Sequence, residues 1–299
     1  MSVAIIVNPV SAGISAREVR RRVQTAEAIF VTLSEPGQVS VSERRGHARE
    51  LSAAAASSGA RLVIAWGGDG TVNEVASALV GGDTALGIVP SGSGNGLARE
   101  LGVSRRPAVA IGEALRAAPR TIDVGELGGR IFVSVAGIGF DAHVAGCFDR
   151  DTSGRRGLST YARITARELW GYRPAVYSVD SIDDRVDNAL LERRALLITF
   201  ANSAQFGNGA RIAPDARIDD GLLNLVVFEE QSRLKTVFGL PRLFNGTVSR
   251  IRGVTTKRLR QATVRTAFPI NFHVDGEPVQ GGTSLLARIH PAALKVCVR

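Results

Sequence analysis

Leu62-Val63-Ile64-Ala65-Trp66-Gly67-Gly68-Asp69-Gly70-Thr71-Val72-Asn73-Glu74-Val75 is the stretch that decides the fold. Its first five residues are apolar and end on glycine, the pattern of a buried strand. Val72, Val75, Ala76, Leu79 and Val80 then recur at helical spacing. The unit is a strand, a tight glycine turn and a helix. The three glycines let the backbone approach a ligand, and Thr71 or Asp69 is placed to cap the helix. Helix-start N–H groups favour an anion, most often a phosphate. Asp69 alters that expectation, because a carboxylate beside phosphate is repulsive unless a divalent cation or a proton in transit stands between them. The combination points to a nucleotide site with Mg²⁺.

The same alternation extends on both sides. Val3–Val7 reads as a strand ending in the turn-rich Asn8-Pro9-Val10-Ser11-Ala12-Gly13, with a helix from about Ser15 to Gln24 and a strand at Ile29–Leu33. Gly46 to Ser57 is an Ala-rich helix pattern. Ala85–Val89 is a further strand, ending in Pro90-Ser91-Gly92-Ser93-Gly94-Asn95-Gly96 before the helical Leu97–Leu101. Strands alternating with helices predict a parallel, helix-covered sheet with its glycine loops gathered at one edge. No GxxxxGK[ST] occurs, and Gly67-Gly68-Asp69-Gly70 breaks the GxGxxG spacing. Each loop alone is an ordinary turn; three after consecutive strands favour nucleotide binding.

Near Asp123 the pattern changes to short β-rich runs at Ile131–Val135, Ala175–Val179, Ala195–Phe200, Leu222–Phe228, Ala262–Val264 and Ile270–Val274. These predict a second domain that is an antiparallel sandwich. The expected division is an α/β nucleotide domain over 1–123 and a β-rich acceptor domain over 124–299, with the last residues free to pack back on the first. Two helical insertions interrupt the second part, at about Gly157–Trp170 and Ser232–Phe244.

Composition narrows the classes. At 299 residues and 44% hydrophobic content the chain is an ordinary globular protein, suited to two domains. No apolar run approaches the roughly 20 residues that span a bilayer, and the N-terminus runs straight into a strand, so a cytoplasmic protein is expected. Cys147 and Cys297 read as reduced thiols, and the four His lack zinc-site spacing. The net charge of +9 calls for an acidic partner, but no aromatic-and-basic strand motif supports nucleic acid.

Together, Asn8-Pro9…Gly13, Gly67-Gly68-Asp69-Gly70-Thr71-Val72-Asn73-Glu74 and Pro90-Ser91-Gly92-Ser93-Gly94-Asn95 resemble the catalytic domain shared by diacylglycerol kinases, sphingosine kinases and bacterial lipid kinases. Phe206-Gly207-Asn208-Gly209, Ala213-Pro214-Asp215-Ala216, Asp219-Asp220-Gly221-Leu222-Leu223 and Asp275-Gly276-Glu277-Pro278 extend the resemblance over nearly the whole chain. The first motif also fits NAD and ATP-NAD kinases, so the first domain is expected to be NAD-kinase-like; the later motifs favour the lipid branch. The resemblance implies ATP-dependent phosphorylation of the hydroxyl of diacylglycerol or a similar lipid alcohol, with the acceptor in a cleft between the domains. It places Asn8, Pro9, Val10, Ser11, Ala12, Gly67, Gly68, Asp69, Gly70, Thr71, Val72 and Asn73 along the ATP site. Ser42 and Ser93 stand where the family usually has a nucleotide-contacting Thr. Asp69 would work with Mg²⁺ and the phosphates. A structural Mg²⁺ is implied at Asp220, with the carbonyls of Arg217 and Leu222. Asn208 departs from a frequent Gly.

Glu277, with Asp275 beside it, matches the family's general-base region, and the chemistry agrees: an attacking alcohol must lose a proton, which a carboxylate can take. Neither the residues nor the resemblance says which acid does so. Taken bare, Asp275-Gly276 is an exposed hairpin turn, and Asp219-Asp220-Gly221 a β-turn.

The insertions carry Arg155, Arg156, Arg163, Arg167 and Arg173 with Leu158, Tyr161, Ile164, Leu169 and Trp170. Around the second lie Arg233, Lys235 and Arg242 with Leu234, Val237, Phe238, Leu240, Leu243 and Phe244. Basic amphipathic helices suit an anionic membrane surface, although a helix packing on its own domain is the commoner case. Peripheral contact at the inner membrane face and a homodimer are both compatible with the sequence. Two alternatives stand beside a lipid kinase: a kinase of a soluble hydroxylated substrate such as NAD, and a nucleotide-binding regulator without catalysis.

Overall fold

In the first unit, Met1–Ile122 with Ala292–Arg299, the elements run β1 (Val3–Val7), α1 (Ala16–Leu33), β2 (Gly37–Val41), α2 (His47–Ser57), β3 (Leu62–Gly67), α3 (Asp69–Leu79), β4 (Ala85–Pro90), α4 (Gly96–Glu100) and α5 (Pro107–Arg116). A computed structural model describes residues 2–9, 15–151, 158–181, 189–207, 209–239 and 241–298. Val10, Ser11, Ala12, Arg155, Arg156, Asn208 and Leu240 lie outside them, as do the side chains of Leu158 and Phe238.

The sheet of this unit has the order β2-β1-β3-β4, every pair parallel, and the returning C-terminus lays Val296 beside Leu86 of β4. β1 and β3 are buried along their whole length, as continuous apolar runs covered on both faces should be. One expected strand is wrong: Ile29–Leu33 is the end of α1, and the strand follows at Gly37–Val41. The β-branched cluster looked like a strand, but Arg22, Ala26 and Phe30, four residues apart, form the buried stripe of one long helix.

The second unit, Asp123–Pro291, takes most of β5 (Arg120–Leu127), β6 (Arg130–Phe132), β7 (Val135–Gly139), α6 (Phe140–Arg150), α7 (Leu158–Gly171), β8 (Ala175–Ser181), β9 (Ala189–Ala201), β10 (Gln205–Gly207), β11 (Ala210–Arg211), β12 (Leu223–Glu229), α8 (Arg233–Gly239), α9 (Pro241–Phe244), β13 (Val254–Leu259), β14 (Gln261–Arg265), β15 (Asn271–Val274), β16 (Glu277–Gln280) and the start of β17 (Ser284–Val296). Its pairings are antiparallel. The predicted α/β and antiparallel β-rich pair is what the fold contains. β9 is its spine, pairing with β7, β8 and β12. Phe132, Phe200 and Phe272 are fully buried in the core around it.

The first insertion is α7. Ile164 and Leu169 are buried against Phe140 and Val144 of α6, with Tyr161 packed on them, so its apolar face covers its own domain. Trp170 is 61% exposed. The second insertion breaks into α8 and α9 at Pro241, and Leu234, Val237 and Phe244 are exposed. No helix among the described residues is long and apolar enough to cross a membrane.

Candidate functional site

The predicted donor loops sit at the carboxyl ends of β1, β3 and β4. At the first, the Asn8 side chain donates to the Thr71 hydroxyl at 2.7 Å, tying the β1 loop to α3. Pro9 is next in that loop. At the other two, Gly92 and Gly68 meet backbone to backbone: a Cβ on Gly92 would stand 2.6 Å from the Gly68 Cα. Only glycine permits that approach. The Ser91 N–H donates to the Gly67 carbonyl at 2.9 Å, extending the β3–β4 ladder one step into the loops.

Asp69 accepts the N–H groups of Asn95 at 2.8 Å and Gly96 at 2.6 Å, one on each carboxylate oxygen. Asn95 is left-handed, with φ 53, and its amide closes on Gly92 through both its oxygen and its nitrogen. The carboxyl of Asp69 is pushed above its ordinary range by burial, against the pull of these N–H groups. The expected helix cap is therefore not made. Neither Asp69 nor Thr71 caps α3: Asp69 is turned to the next loop and Thr71 to Asn8, and Gly68 holds the cap position without a side chain. Gly70 is exposed, and a Cβ there would meet nothing within 4 Å. Val72 and Asn73 are buried, whereas Ser93 is exposed at the loop tip.

Ser42 is buried, and its N–H donates to the Val7 carbonyl at 2.9 Å, which sets it beside the end of β1. Glu74 holds the segment that follows, its oxygens accepting the N–H groups of Gly46 at 2.8 Å and Ala48 at 3.1 Å. This clamp from α3 uses the helix-start N–H groups of α2.

Sequence inspection missed Arg22. It is 9% exposed, its guanidinium lies 5.7 Å over the Trp66 ring, and it donates to the Ser91 hydroxyl at 3.2 Å. Burial lowers its pKa, against the raising effect of Glu18. An arginine on the buried stripe of α1 was the available signal.

The predicted acceptor turn lies in the second unit. Asp275 has φ 47 and Gly276 φ 85, consecutive left-handed residues linking β15 to β16 as a two-residue hairpin loop. The Asp275 carboxylate accepts three backbone N–H groups, from Val133 at 2.8 Å, Ser134 at 2.9 Å and Val135 at 3.0 Å. Asp275 is thus committed to the β6–β7 link. Glu277 opens β16 with its side chain half-buried.

At the predicted metal turn, Asp220 accepts the Leu222 N–H at 3.0 Å and pairs with the Arg258 guanidinium. Arg217 turns its side chain to Asp219 at 3.4 Å. The buried Asp123, which sequence inspection also missed, accepts the Gly221 N–H at 2.6 Å, so two carboxylates serve one turn. Elsewhere, ligand atoms of His143, Cys147 and Glu168 lie within 4.8 Å of one another. Arg150 already reaches the thiol and Arg167 the carboxylate, and their charge disfavours a cation there.

Comparison with known proteins identifies the family. The sequence profile described as the diacylglycerol kinase catalytic domain matches residues 2–127. The profile described as the YegS C-terminal NAD kinase beta sandwich-like domain matches residues 134–298. The chain belongs to the diacylglycerol kinase and YegS family of lipid kinases. This lipid kinase chain is 33% identical to the diacylglycerol kinase of Mycobacterium tuberculosis over 83% of its own length and 80% of that protein's. To the Chromohalobacter salexigens protein named "Probable lipid kinase YegS-like" it is 34% identical, over 66% of its own length and 63% of that protein's. A solved structure described as a diacylglycerol kinase of Bacillus anthracis superposes with a TM-score of 0.71 at 17% identity, covering 100% of this chain and 97% of that one. At that identity it supports the fold. Membership in a kinase family implies ATP as phosphoryl donor.

Proposed function

We propose that this lipid kinase transfers the γ-phosphoryl group of ATP to the hydroxyl of diacylglycerol or a similar long-chain lipid alcohol, with Glu277 as general base. The observation that carries the assignment is the commitment of Asp275 to three backbone N–H groups. That leaves Glu277, two residues on, as the acid of the motif suited to proton transfer. Glu277 takes the proton of the acceptor hydroxyl as its oxygen attacks the γ-phosphorus. The bond to the β-phosphate oxygen breaks, and ADP leaves with the electron pair.

Donor binding falls to Asn8, Pro9, Ser42, Gly67 through Asn73 and Ser93, with Val10, Ser11 and Ala12 assigned from the resemblance alone. Uncapped N–H groups at the start of α3, and the glycines before them, suit phosphate oxygens. Asp69 orders the two loops, and any part it has with Mg²⁺ is added to that role. Oxygen donors on the Arg217–Leu222 turn, with Asp220 and the neighbouring Asp123, fit a hard cation. Such an ion would replace the Arg258 contact and fix the turn. Bound Mg²⁺ at the donor would supply charge neutralisation of the phosphates.

Peripheral membrane contact is proposed through the exposed Leu234, Val237 and Phe244 with Lys235; Arg233 and Arg242 are turned to the Tyr172 and Arg250 carbonyls. The test of function is transfer of labelled γ-phosphate from ATP to a total bacterial lipid extract, offered beside NAD, with the labelled product identified by mass spectrometry. A labelled long-chain phospholipid is expected. Labelled NADP, or ATP binding without any labelled product, would overturn the lipid assignment.

A further inference from the structure

Gly137, Thr199 and His273 stand in one row across three adjacent strands: Gly137 of β7 pairs with Thr199 of β9 on one side and His273 of β15 on the other. Directly paired residues project from the same face of a sheet, so the glycine leaves a gap between a hydroxyl and an imidazole. Asp141, in the first turn of α6, drops its carboxylate into that gap. A Cβ on Gly137 would lie 1.9 Å from Asp141 Oδ2 and 2.6 Å from His273 Nε2. Asp141 and His273 are 4% and 3% exposed.

The hydrogen bonds of the pair run in one direction. Asp141 Oδ1 accepts the Ala142 N–H at 2.8 Å, and Oδ2 faces the Thr199 hydroxyl at 3.4 Å and His273 Nε2 at 3.3 Å. On the far side of the ring, Nδ1 accepts the Gly276 N–H at 3.2 Å. A donor aimed at Nδ1 leaves Nε2 as the protonated nitrogen, donating to the carboxylate, so the contacts fix the tautomer. Gly276 is the residue between Asp275 and Glu277. The bland alternative is a satisfied buried polar pair that helps the sheet pack. Packing alone does not account for the pair, since burying a carboxylate and a polar ring costs free energy unless their hydrogen bonds are satisfied, which an apolar pair of similar volume would not require. Its second nitrogen is also spent on the one turn whose shape sets where Glu277 points.

We propose that Asp141 and His273 are a positioning pair for Glu277. Asp141 holds the imidazole in its Nε2–H form, and the imidazole holds the Gly276 N–H, fixing the left-handed turn from which the Glu277 side chain projects. This rests on Glu277 being the general base. Asp275 anchors the turn to the β6–β7 link from one side, and the imidazole sets its aim from beneath.

The test combines kinetics with the ¹⁵N spectrum of the histidines, using ATP and a total bacterial lipid extract. His273→Asn keeps an oxygen acceptor near the place of Nδ1; His273→Phe keeps ring bulk without one. His273→Phe is expected to lower kcat by about 10²-fold, the scale of a misplaced reacting group, with KM for ATP unchanged; His273→Asn should recover most of the loss. Wild-type His273 should show the single Nε2–H neutral form, and the near-isosteric Asp141→Asn should convert it to a tautomer mixture. Equal losses in the Asn and Phe variants, undiminished kcat in His273→Phe, or an Nδ1–H form in the wild type would each overturn the proposal. If Glu277→Gln also leaves transfer intact, the general-base assignment fails and takes the positioning role with it. If Glu277→Gln abolishes transfer and His273→Phe does not, the positioning role alone fails.

Discussion

The donor loops and the acceptor turn use one device in two forms. In the first unit Asp69 gathers the N–H groups of Asn95 and Gly96; in the second, Asp275 gathers those of Val133, Ser134 and Val135. Both acids look reactive in the sequence, and both staple one segment of backbone to another. They differ in setting. Asp69 starts a helix, carries two N–H groups and has its pKa raised by burial. Asp275 sits in a left-handed turn and carries three. An acid inside a glycine motif can serve by shaping the loop, as Asp69 does with the Asn95 and Gly96 N–H groups and Asp275 with those of Val133, Ser134 and Val135; the function proposed above leaves the chemistry to their neighbours.

Removing the staples separates the two acids. Asp275→Ala orphans three N–H groups, and at about 1–3 kcal/mol for each unsatisfied buried group the unfolding free energy should fall by about 3 kcal/mol, read by denaturant titration. Asp69→Ala should cost less, about 2 kcal/mol, because two groups are orphaned and a carboxyl disfavoured by burial is relieved. Equal or inverted losses would show that the two staples do not differ as described.

Two glycines sharpen the donor side. Gly92→Ala forces a Cβ to 2.6 Å from the Gly68 Cα, so the loops must part, at about 1–3 kcal/mol and with weaker ATP binding. Gly70→Ala meets nothing and lies in a helix, so it should stabilise the fold by about 0.5–1 kcal/mol and still weaken ATP binding by crowding the phosphate approach. Unchanged ATP affinity in the Gly70 variant, measured by calorimetry, would remove the anion role from the start of α3.

A carboxylate held by side chains gives the smallest effect. Glu126 is desolvated, which alone would raise its pKa, but Arg288 and His290 bond it and hold it below the ordinary 4.5. A depressed carboxyl stabilises the fold above its unfolded pKa, and that contribution is lost as pH falls through the folded value. Glu126→Gln should therefore flatten the acid limb of stability below about pH 5 and cost about 0.5 kcal/mol at neutral pH, as part-exposed ion pairs do. A loss as large as that of Asp69→Ala would mean that gathering backbone N–H groups is nothing special.

Much of this was legible in the sequence, for a physical reason in each case. β1, β3 and β4 are apolar runs, and the loops after them carry Gly, Asn and Ser because the backbone must turn and approach closely. The Ile29–Leu33 error shows the limit: a β-branched run inside a helix looks local, and only the four-residue spacing of Arg22, Ala26 and Phe30 corrects it. The strand expected at Ile131–Val135 is likewise two, β6 and β7, parted where Val133, Ser134 and Val135 turn their N–H groups to Asp275. That partner is 140 residues away in sequence. Long-range staples, the Arg22–Ser91 contact and the Asp141–His273 pair have no local pattern, because the packing of elements distant in sequence brings them together.

In the proposed reaction Asp275 shapes the turn through its three N–H groups, and Glu277 takes the proton. One measurement tests it most directly: kcat of labelled phosphate transfer to a bacterial lipid extract, with the unfolding midpoint of the same preparation, for Glu277→Gln. Loss of kcat by at least about 10²-fold, as for a removed general base, with the midpoint unchanged is the predicted result. Transfer within a few-fold of wild type in a fully folded Glu277→Gln would contradict it.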